Sequence, residues 1–273
     1  MSIAVVHLVW APLGAGPLRD FLASYKAHPA GAEHELVLAL NGLQAPGGGG
    51  EAFRSSVQEE FARTPHRSIV LERPVLDLAA YGLLAAQLEH PRICFLNSYS
   101  VILADGWLAI LADALASAGV GLAGATGSWE SQSEWRRGRF RYWPYQMLRL
   151  PADRRRYPRF PNPHMRTTGF VVERAAIIGL GLEDVGDKHD AYLLESGIGG
   201  IASRVAAAGG SMVVAGRDGR IYGQQEWPES CTYRSGEQRN LLISDNRTRE
   251  WEASPPRLKR RLARDAWGSR AII

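Results

Sequence analysis

Four polar residues, Asn97-Ser98-Tyr99-Ser100, stand where the sequence changes from apolar to polar. The run before them, Arg92 to Leu96, is short and apolar, which is typical of a buried parallel strand. In an open α/β sheet, ligands bind outside the carboxyl ends of the strands. Asn97, Ser98 and Tyr99 are therefore predicted to contact a ligand, and the chemistry that their amide and hydroxyl groups indicate is polar binding.

The elements that would hold this tetrapeptide alternate between strands and helices. The first apolar run, Ile3 to Val9, predicts a strand inside a parallel sheet. Helical periodicity follows several of the runs, and Asp77 is expected to cap the helix that precedes Arg92. Together they predict an α/β sheet. The further predicted strands are Leu36 to Leu40, Ile69 to Leu71, Val120 to Ala125, Gly169 to Val172 and Met212 to Ala215.

Bulk properties narrow the class of protein. A chain of 273 residues that is 45% hydrophobic is long enough for one large α/β domain with a tail. Two cysteines, Cys94 and Cys231, exclude a disulfide framework and favour a reducing, cytoplasmic location. We expect no leader, because residues 1–10 have no basic lead and no small-residue cleavage pattern, and no membrane span, because no apolar run reaches about 18 residues. The net charge of +4 suits an anionic ligand such as a nucleotide diphosphate.

A resemblance to a known family begins at the tetrapeptide. The order of a strand, a polar tetrapeptide and the helix start Gly106-Trp107-Leu108 resembles GT-A glycosyltransferases of the family 2 type. The resemblance covers roughly residues 1 to 220. It implies a GT-A-like, Rossmann-type mixed and mainly parallel sheet flanked by helices, followed by a C-terminal helical or irregular arm.

The family's tetrapeptide carries an Asp-x-Asp motif that holds a divalent metal against the diphosphate of a nucleotide-sugar donor. Asn97 to Ser100 contains neither carboxylate. Divalent cations such as Mg²⁺ prefer hard, charged oxygen ligands. We therefore predict no metal-ligating residues and weak or no metal dependence, with Mg²⁺ or Mn²⁺ left open as cofactors and a nucleotide-diphosphate sugar as donor substrate.

The resemblance also implies which residues hold the donor. Base and ribose would lie over Val9, Trp10 and Asn41, at the ends of the first two strands, and over Asp77 and Tyr81 at the start of the helix before Arg92. Each residue has a structural alternative. Trp10 would be a rim aromatic, Asn41 a turn residue, Asp77 a helix cap and Tyr81 a core residue.

In inverting members of the family, an acidic residue followed by an arginine and a glycine-terminated helix is the general base. Glu195, with Arg204 downstream, matches that place. Its carboxylate would have to reach the acceptor oxygen by a hydrogen bond. Asp190 and Asp187 are weaker candidates, His189 is weaker still, and a solvent-facing helix carboxylate is the structural alternative.

Two further polar residues precede the predicted Gly169 strand. His164 is predicted to orient an acceptor hydroxyl, and Arg166 to balance diphosphate charge where no metal does so, since a guanidinium fork suits phosphate oxygens. A structural role is the alternative for His164.

The segment from Gln132 to Pro163 interleaves arginines with aromatic residues. Such a mixture could bind nucleic acid, could line an acceptor groove, or could be a surface excursion. No recognised nucleic-acid-binding module accompanies it, so we expect no nucleic-acid partner. The residues are Arg136, Arg137, Arg139, Arg141, Arg149, Arg154, Arg155, Arg156, Arg159, Trp135, Phe140, Tyr142, Trp143, Tyr145 and Tyr157.

The resemblance implies a GT-A-like domain over residues 1–222, with a nucleotide-binding half (1–125) and an acceptor half (126–222). Residues 223–273 are predicted to form a C-terminal arm with a basic tail, Arg257 to Arg264, which is either a solvated face or a contact to an anionic membrane.

The predicted function is that of a hexosyltransferase-type glycosyltransferase of bacterial surface polysaccharide or glycan synthesis. It would act with inversion on a glycan or lipid-linked acceptor, in the cytoplasm or at the inner membrane face. The alternative is a catalytically silent GT-A-like protein that binds a sugar nucleotide or a partner. A nucleotide-cofactor oxidoreductase is disfavoured, because Gly14-Ala15-Gly16 is only a fragment of its glycine motif.

Overall fold

The computed structural model describes residues 3–133 and 152–272. Most of the predicted arginine- and aromatic-rich segment lies outside the described residues, so its role stays a prediction. The strands are β1 (Ile3–Trp10), β2 (His34–Asn41), β3 (Arg67–Val70), β4 (Arg92–Leu96), β5 (Val101–Ile102), β6 (Val120–Gly124), β7 (Gly127–Ser128), β8 (His164–Met165), β9 (Gly169–Glu173), β10 (Ser211–Ala215), β11 (Ile221–Gly223) and β12 (Ile243–Ser244).

Helices connect most of these strands. They are α1 (Gly16–Ala27), α2 (Gly50–Glu60), α3 (Asp77–Gln87), α4 (Trp107–Ala116), α5 (152–156), α6 (Arg174–Ile178), α7 (Lys188–Ser196), α8 (Ile201–Ala207), α9 (Asn246–Glu252) and α10 (Pro256–Trp267). Short 3-10 turns occur at Ala11–Leu13, Leu182–Asp184, Gln224–Ser230, Gly236–Gln238 and Gly268–Arg270. Within the described residues, no helix is long and apolar enough to cross a membrane.

The main sheet of the described residues has eight strands in the order β11-β10-β6-β9-β4-β1-β2-β3. Strands β3, β2, β1 and β4 are parallel neighbours, and so are β6 and β10. Strand β9 lies between β4 and β6 and runs antiparallel to both, while β11 pairs antiparallel with β10. The predicted fold class, an α/β fold with a mixed, mainly parallel sheet flanked by helices, is confirmed.

The sheet is covered on both faces, which is why its inner strands read as continuous apolar runs. Alternate residues of β1 belong to different core clusters, since side chains of a strand point alternately to its two faces. Ala4 and Val6 pack with α3 on one face, whereas Ile3 and Val5 pack with α1 and α4 on the other. This burial fixes the ends of the strands relative to one another.

The C-terminal arm is packed into the same cores. Its strand β12 pairs antiparallel with β5, the short strand that follows the tetrapeptide. Trp227, Tyr233 and Trp267 are buried in one core cluster, and Leu242 and Ile243 are buried in the other. Residues 223–273 therefore contribute to the core of the predicted catalytic domain.

One local prediction is wrong. Asp77 is the first residue of α3, and the N-cap position belongs to Leu76, with no side-chain capping bond. The structural alternative for Asp77, a helix cap, therefore does not hold, and its carboxylate is exposed at the start of the helix.

Candidate active site

Strand ends that carry polar residues meet at one edge of the sheet. Trp10 ends β1, Asn41 ends β2, and the two residues pair in register. Asn97 follows the last residue of β4, which is parallel to β1. The Trp10 amide donates a hydrogen bond of 3.2 Å to Ser98 Oγ, which ties the tetrapeptide to the end of β1. Four of the predicted site residues thus lie at the same edge.

The tetrapeptide forms a hydrogen-bonded turn. Asn97 Oδ1 accepts a hydrogen bond of 2.9 Å from the Tyr99 amide and lies 3.3 Å from Ser100 Oγ. Ser100 Oγ also lies 2.6 Å from the carbonyl oxygen of Thr168, to which it donates. Asn97, Ser98 and Ser100 are buried, and Tyr99 is half-buried. Most of the polar groups of the turn are therefore used inside the protein, and direct ligand contact by Asn97 and Ser98 stays a prediction.

A residue of the C-terminal arm, Asp245, supplies the carboxylate that the tetrapeptide lacks. Its Oδ2 accepts a hydrogen bond of 2.8 Å from Thr168 Oγ1 and lies 3.5 Å from Asn97 Nδ2. Its Oδ1 accepts bonds from the amides of Arg247 and Thr248, so that it also caps α9. The buried Asp245 carboxylate joins the arm to the tetrapeptide.

An open cleft of about 670 Å³ lies beside these strand ends. Asn41 shapes it, because Asn41 Nδ2 donates to the Val75 carbonyl oxygen at 2.8 Å and Asn41 Oδ1 accepts from the Val75 amide at 3.2 Å. With its amide buried and bonded in this way, Asn41 holds the loop before α3 in place. The cleft is lined by Trp10, Arg73, Pro74, Val75, Leu76, Glu183, Val185, Gly186, Asp187 and Lys188.

Trp10 stands in this cleft because Gly42 leaves room for its ring. A Cβ atom at Gly42 would lie 2.6 Å from the indole of Trp10, closer than van der Waals contact allows. Gly42 also has a positive φ of 77°, a conformation that glycine adopts without strain. The half-buried indole is thus packed against backbone on one side and presented to the cleft.

Glu195, His164 and Arg166 come together with Asp77. Glu195 is half-buried near the end of α7 and acts electrostatically on the other three groups. Partial desolvation by the surrounding protein is the larger cause that raises the pKa of Asp77, and the negative charge of Glu195 is the second. Part of the Asp77 side chain remains exposed to solvent. Asn162 Nδ2 donates a hydrogen bond of 2.7 Å to the Ser196 carbonyl oxygen, which ties the end of α7 to the segment that leads to His164. The two carboxylates, the imidazole and the guanidinium are therefore near enough to act on one another's charge.

Burial acts differently on the two basic groups of this cluster. It lowers the pKa of His164, so the imidazole is neutral at pH 7. His164 Nδ1 lies 2.9 Å from the carbonyl oxygen of Asn162, which can only accept, so Nδ1 carries the proton and Nε2 is left as an acceptor. Burial also opposes the charge of Arg166, but Tyr233 and the carboxylates of Asp245, Glu195 and Glu130 raise its pKa above the usual value.

Two predicted donor-binding residues lie in the core. Val9 and Tyr81 are buried, and the Tyr81 ring centroid lies 4.4 Å from that of Phe95. The Tyr81 hydroxyl has no hydrogen-bond partner among the described residues. Burial raises the pKa of Tyr81 well above its usual value, and the charges of Asp77 and Glu195 add to the effect. Contact of Val9 or Tyr81 with a ligand stays a prediction.

The residues around the tetrapeptide do not fit a divalent cation. The oxygen atoms of Asn97 and Asp245 accept hydrogen bonds from protein donors, and Asp245 supplies the one carboxylate bonded to this turn. Mg²⁺ requires near-octahedral oxygen ligands that are free to coordinate it. In the described residues, no group of three or more His, Cys, Asp or Glu could hold a metal ion.

Comparison with solved structures finds glycosyltransferases. A mannosyltransferase, PcManGT from Pyrobaculum calidifontis in complex with GDP-Man and Mn²⁺, is 14% identical over 84% of this chain, with a TM-score of 0.48. GalNAc-T7 with UDP, GalNAc and Mn²⁺ is 13% identical over 79% of this chain, with a TM-score of 0.49.

The chain spans 59% of the length of the mannosyltransferase and 42% of that of GalNAc-T7. No protein-family profile matches the chain, and no curated protein matches it in sequence. The likeness concerns the fold, so the roles of individual residues follow from the geometry of this chain.

Proposed function

We propose that this chain is a glycosyltransferase that moves a sugar from a nucleotide-diphosphate donor to an acceptor hydroxyl, with inversion. The observation that carries the proposal is that α7 connects an open cleft with a group of polar side chains: its first residues, Asp187 and Lys188, border the cleft, and Glu195 near its end interacts with the charges of His164 and Arg166. Transfer needs a base for the acceptor, a cation for the leaving group and a slot for the nucleotide. These parts correspond to Glu195, Arg166 and the cleft.

In the proposed reaction, Glu195 takes the proton of the acceptor hydroxyl while that oxygen forms a bond to the anomeric carbon of the donor sugar. The bond between this carbon and the diphosphate oxygen breaks, and the diphosphate leaves with the electron pair. Arg166 stabilises the charge that develops on the leaving group, since a guanidinium that stays protonated suits phosphate oxygens. His164 Nε2 accepts a hydrogen bond from a neighbouring hydroxyl of the acceptor and so orients the hydroxyl that reacts.

The cleft would take the nucleotide. Trp10 offers an aromatic face on which a base can stack, as bases do on protein rings. Arg73 and Lys188 offer polar contacts to the ribose and base, and the carboxylates of Glu183 and Asp187 in the same lining balance their charge. Asp77, at the start of α3 and beside Glu195, lies at the junction between nucleotide and reacting sugar in this arrangement.

We further propose that transfer needs no divalent metal, because the tetrapeptide and Asp245 are occupied by protein hydrogen bonds. Turnover of a donor panel should survive dialysis against EDTA and should change little when Mn²⁺ or Mg²⁺ is added. A strict requirement for either ion would contradict this part of the proposal.

The main test begins with a ligand screen and ends with Glu195. Nucleoside diphosphates and their sugars should raise the melting temperature, because ligands that bind only the folded state stabilise it. With the best donor, Glu195→Gln should lower kcat by roughly 100-fold or more while donor affinity is kept. Asp190→Asn, on the exposed side of the same helix, is the matched control and should leave kcat within about twofold of the wild type.

A catalytically silent sugar-nucleotide-binding protein is the second candidate. It is favoured by the internal hydrogen bonds of Asn97 and Ser100, which leave the tetrapeptide little polar surface for a donor. Such a protein would bind a donor in the thermal screen without turnover, and Glu195→Gln would change nothing. Equal kcat for wild type and Glu195→Gln would also contradict the assignment of the base.

A glycan or lipid-linked acceptor of bacterial surface-polysaccharide synthesis, on the cytoplasmic side of the inner membrane, would suit the basic tail. Four arginines of α10 are exposed at helical spacing, Arg257, Arg260, Arg261 and Arg264. Polybasic faces bind anionic membranes with about 1 kcal/mol per residue near the surface. Reversal of Arg260 and Arg261 to glutamate should abolish sedimentation with phosphatidylglycerol vesicles, and an unchanged bound fraction would exclude this contact.

A further inference from the structure

A second buried arginine, Arg234 of the C-terminal arm, lies beside Arg166. The guanidinium carbon of Arg166 lies 4.5 Å from the ring centroid of Tyr233, and that of Arg234 lies 4.9 Å from it. Both groups approach one carboxylate, that of Glu130, with Nη1 to oxygen distances of 3.2 Å for Arg234 and 3.8 Å for Arg166. One ring and one carboxylate therefore organise two guanidinium groups.

The two arginines have unused donors. The Nε atoms of Arg166 and Arg234 are buried and have no hydrogen-bond partner among the described residues. The side chain of Arg234 is only 8% exposed and that of Arg166 only 18%. Buried donors are paired in the great majority of cases, and an unpaired donor next to a charged group is costly. Within residues 3–133 and 152–272 the two Nε donors therefore lack an acceptor, and two guanidinium groups select an anionic one.

The backbone of the segment that carries Arg234, residues 231–238, is strained. Between residues 231 and 238, four residues other than glycine have positive φ angles, namely Cys231, Arg234, Glu237 and Gln238, at 46° to 54°. Each such residue costs on the order of 1 kcal/mol or more, and strain of this kind clusters at ligand sites. The bond from the Arg234 amide to Gln238 Oε1, at 3.1 Å, helps to hold this conformation.

The location of the cluster identifies the anion. The Arg166 amide donates a hydrogen bond of 3.1 Å to the Thr126 carbonyl oxygen, and hydrogen bonds join Thr126 through Thr168 to Asp245, which is bonded to the tetrapeptide. Arg166 also interacts with the charge of Glu195, the proposed base. We propose that Arg166 and Arg234 form a two-arginine site for the diphosphate of the donor, a role that rests on the proposed function. Glu130 occupies both guanidinium groups while the site is empty and gives way to the diphosphate.

Inorganic pyrophosphate in EDTA is the probe, and its dissociation constant is measured by calorimetry. Arg234→Ala should weaken binding by roughly tenfold or more, since a hydrogen bond to a charged group is worth about 1.5–3 kcal/mol. Arg234→Lys keeps the positive charge but loses the paired donors of the guanidinium group, and it should bind pyrophosphate with intermediate affinity. Glu130→Gln should tighten binding about threefold or more, because the competing carboxylate is gone.

The matched control is Arg220, which lies 4.7 Å from the ring centroid of Tyr222 and pairs with Glu226 at 2.6 Å. It has the same three residue types but is exposed, so Arg220→Ala should leave pyrophosphate affinity unchanged. The proposal is overturned if wild type does not bind millimolar pyrophosphate, if folded Arg234→Lys or Arg234→Ala binds like wild type, or if Glu130→Gln binds more weakly.

Failure of the proposed function looks different. If no donor is turned over but pyrophosphate affinity follows the pattern above, the arginine site stands and transfer does not. If donors are turned over equally by wild type and Arg234→Ala, transfer stands and the arginine site does not.

Discussion

Two clusters of this protein are built from the same residue types and differ in burial. In one, Arg166 and Arg234 lie over Tyr233 and share Glu130; in the other, Arg220 lies over Tyr222 and pairs with Glu226. The distances from guanidinium carbon to ring centroid, 4.5, 4.9 and 4.7 Å, are nearly the same. The side chains of Arg220 and Glu226 are 60% and 48% exposed, whereas that of Glu130 is 12% exposed. The distance between arginine and ring therefore does not distinguish the two clusters, whereas burial does.

Burial changes what each contact is worth. An exposed ion pair contributes about 0–1 kcal/mol, because water and salt screen it and ordering two long side chains costs entropy. Removing one partner of a buried pair leaves a charge without water or counter-charge and costs about 3–5 kcal/mol. The buried cluster is thus sensitive to every change of charge, which is what a site that binds and releases an anion requires.

The largest expected effect comes from the two glutamates. Glu130→Gln should lower the free energy of unfolding by about 3 kcal/mol, because two buried guanidinium groups lose their shared carboxylate. Glu226→Gln should change it by no more than about 0.5 kcal/mol. Urea unfolding measures both values. Pyrophosphate should raise the free energy of unfolding more for Glu130→Gln than for wild type. Equal losses for Glu130→Gln and Glu226→Gln would show that burial does not separate the two clusters.

A second effect of burial concerns proton uptake at His7 in β1. The imidazole stacks on Phe21, with ring centroids 3.8 Å apart, and its Nδ1 has no partner among the described residues. Burial lowers the pKa of His7 to about 3. Below about pH 6.5 His7 binds a proton in the unfolded chain but not in the folded protein. The free energy of unfolding therefore falls as the pH falls, with a slope that approaches about 1.4 kcal/mol per pH unit.

His7→Leu should remove this acid sensitivity. Between pH 6.5 and 4.5, wild type should lose roughly 2.3 kcal/mol more than the variant. Other carboxylates and histidines titrate in both proteins, so their contributions cancel in the difference. A difference between wild type and variant that is independent of pH would show that His7 does not titrate between the two states.

The sequence predicts the parallel half of the sheet well, because apolar runs report burial directly. The bounds of β4 agree with the prediction, and β1 is one residue longer. The direction of β9 is not encoded in its apolar run, since a buried antiparallel strand between two neighbours reads the same as a parallel one. Asp77 was expected to cap α3, but a cap depends on the backbone of one residue, which a pattern resolves only to within a position or two.

The residues that complete the site come from far along the chain. Asp245 is 148 positions from Asn97, and Arg234 is 104 positions from Glu130. The Asp245-x-x-Thr248 pattern is a recognisable cap for α9, but nothing local says which surface that helix end meets. Such contacts depend on packing of the arm into the core, through Trp227, Tyr233 and Trp267.

The smallest expected effect is the loss of a tyrosine hydroxyl, and here the exposed cluster should lose more stability than the buried one. Tyr222 donates a hydrogen bond of 2.7 Å to Asp218 Oδ2, so Tyr222→Phe should lose about 1 kcal/mol of stability. The buried Tyr233 hydroxyl has no partner among the described residues, so Tyr233→Phe should lose nothing or gain a few tenths of a kcal/mol. Arginine contacts with the ring remain in both variants. A loss at Tyr233 as large as that at Tyr222 would mean that its hydroxyl is satisfied in solution, and the ring would then no longer be a purely apolar platform for the two arginines.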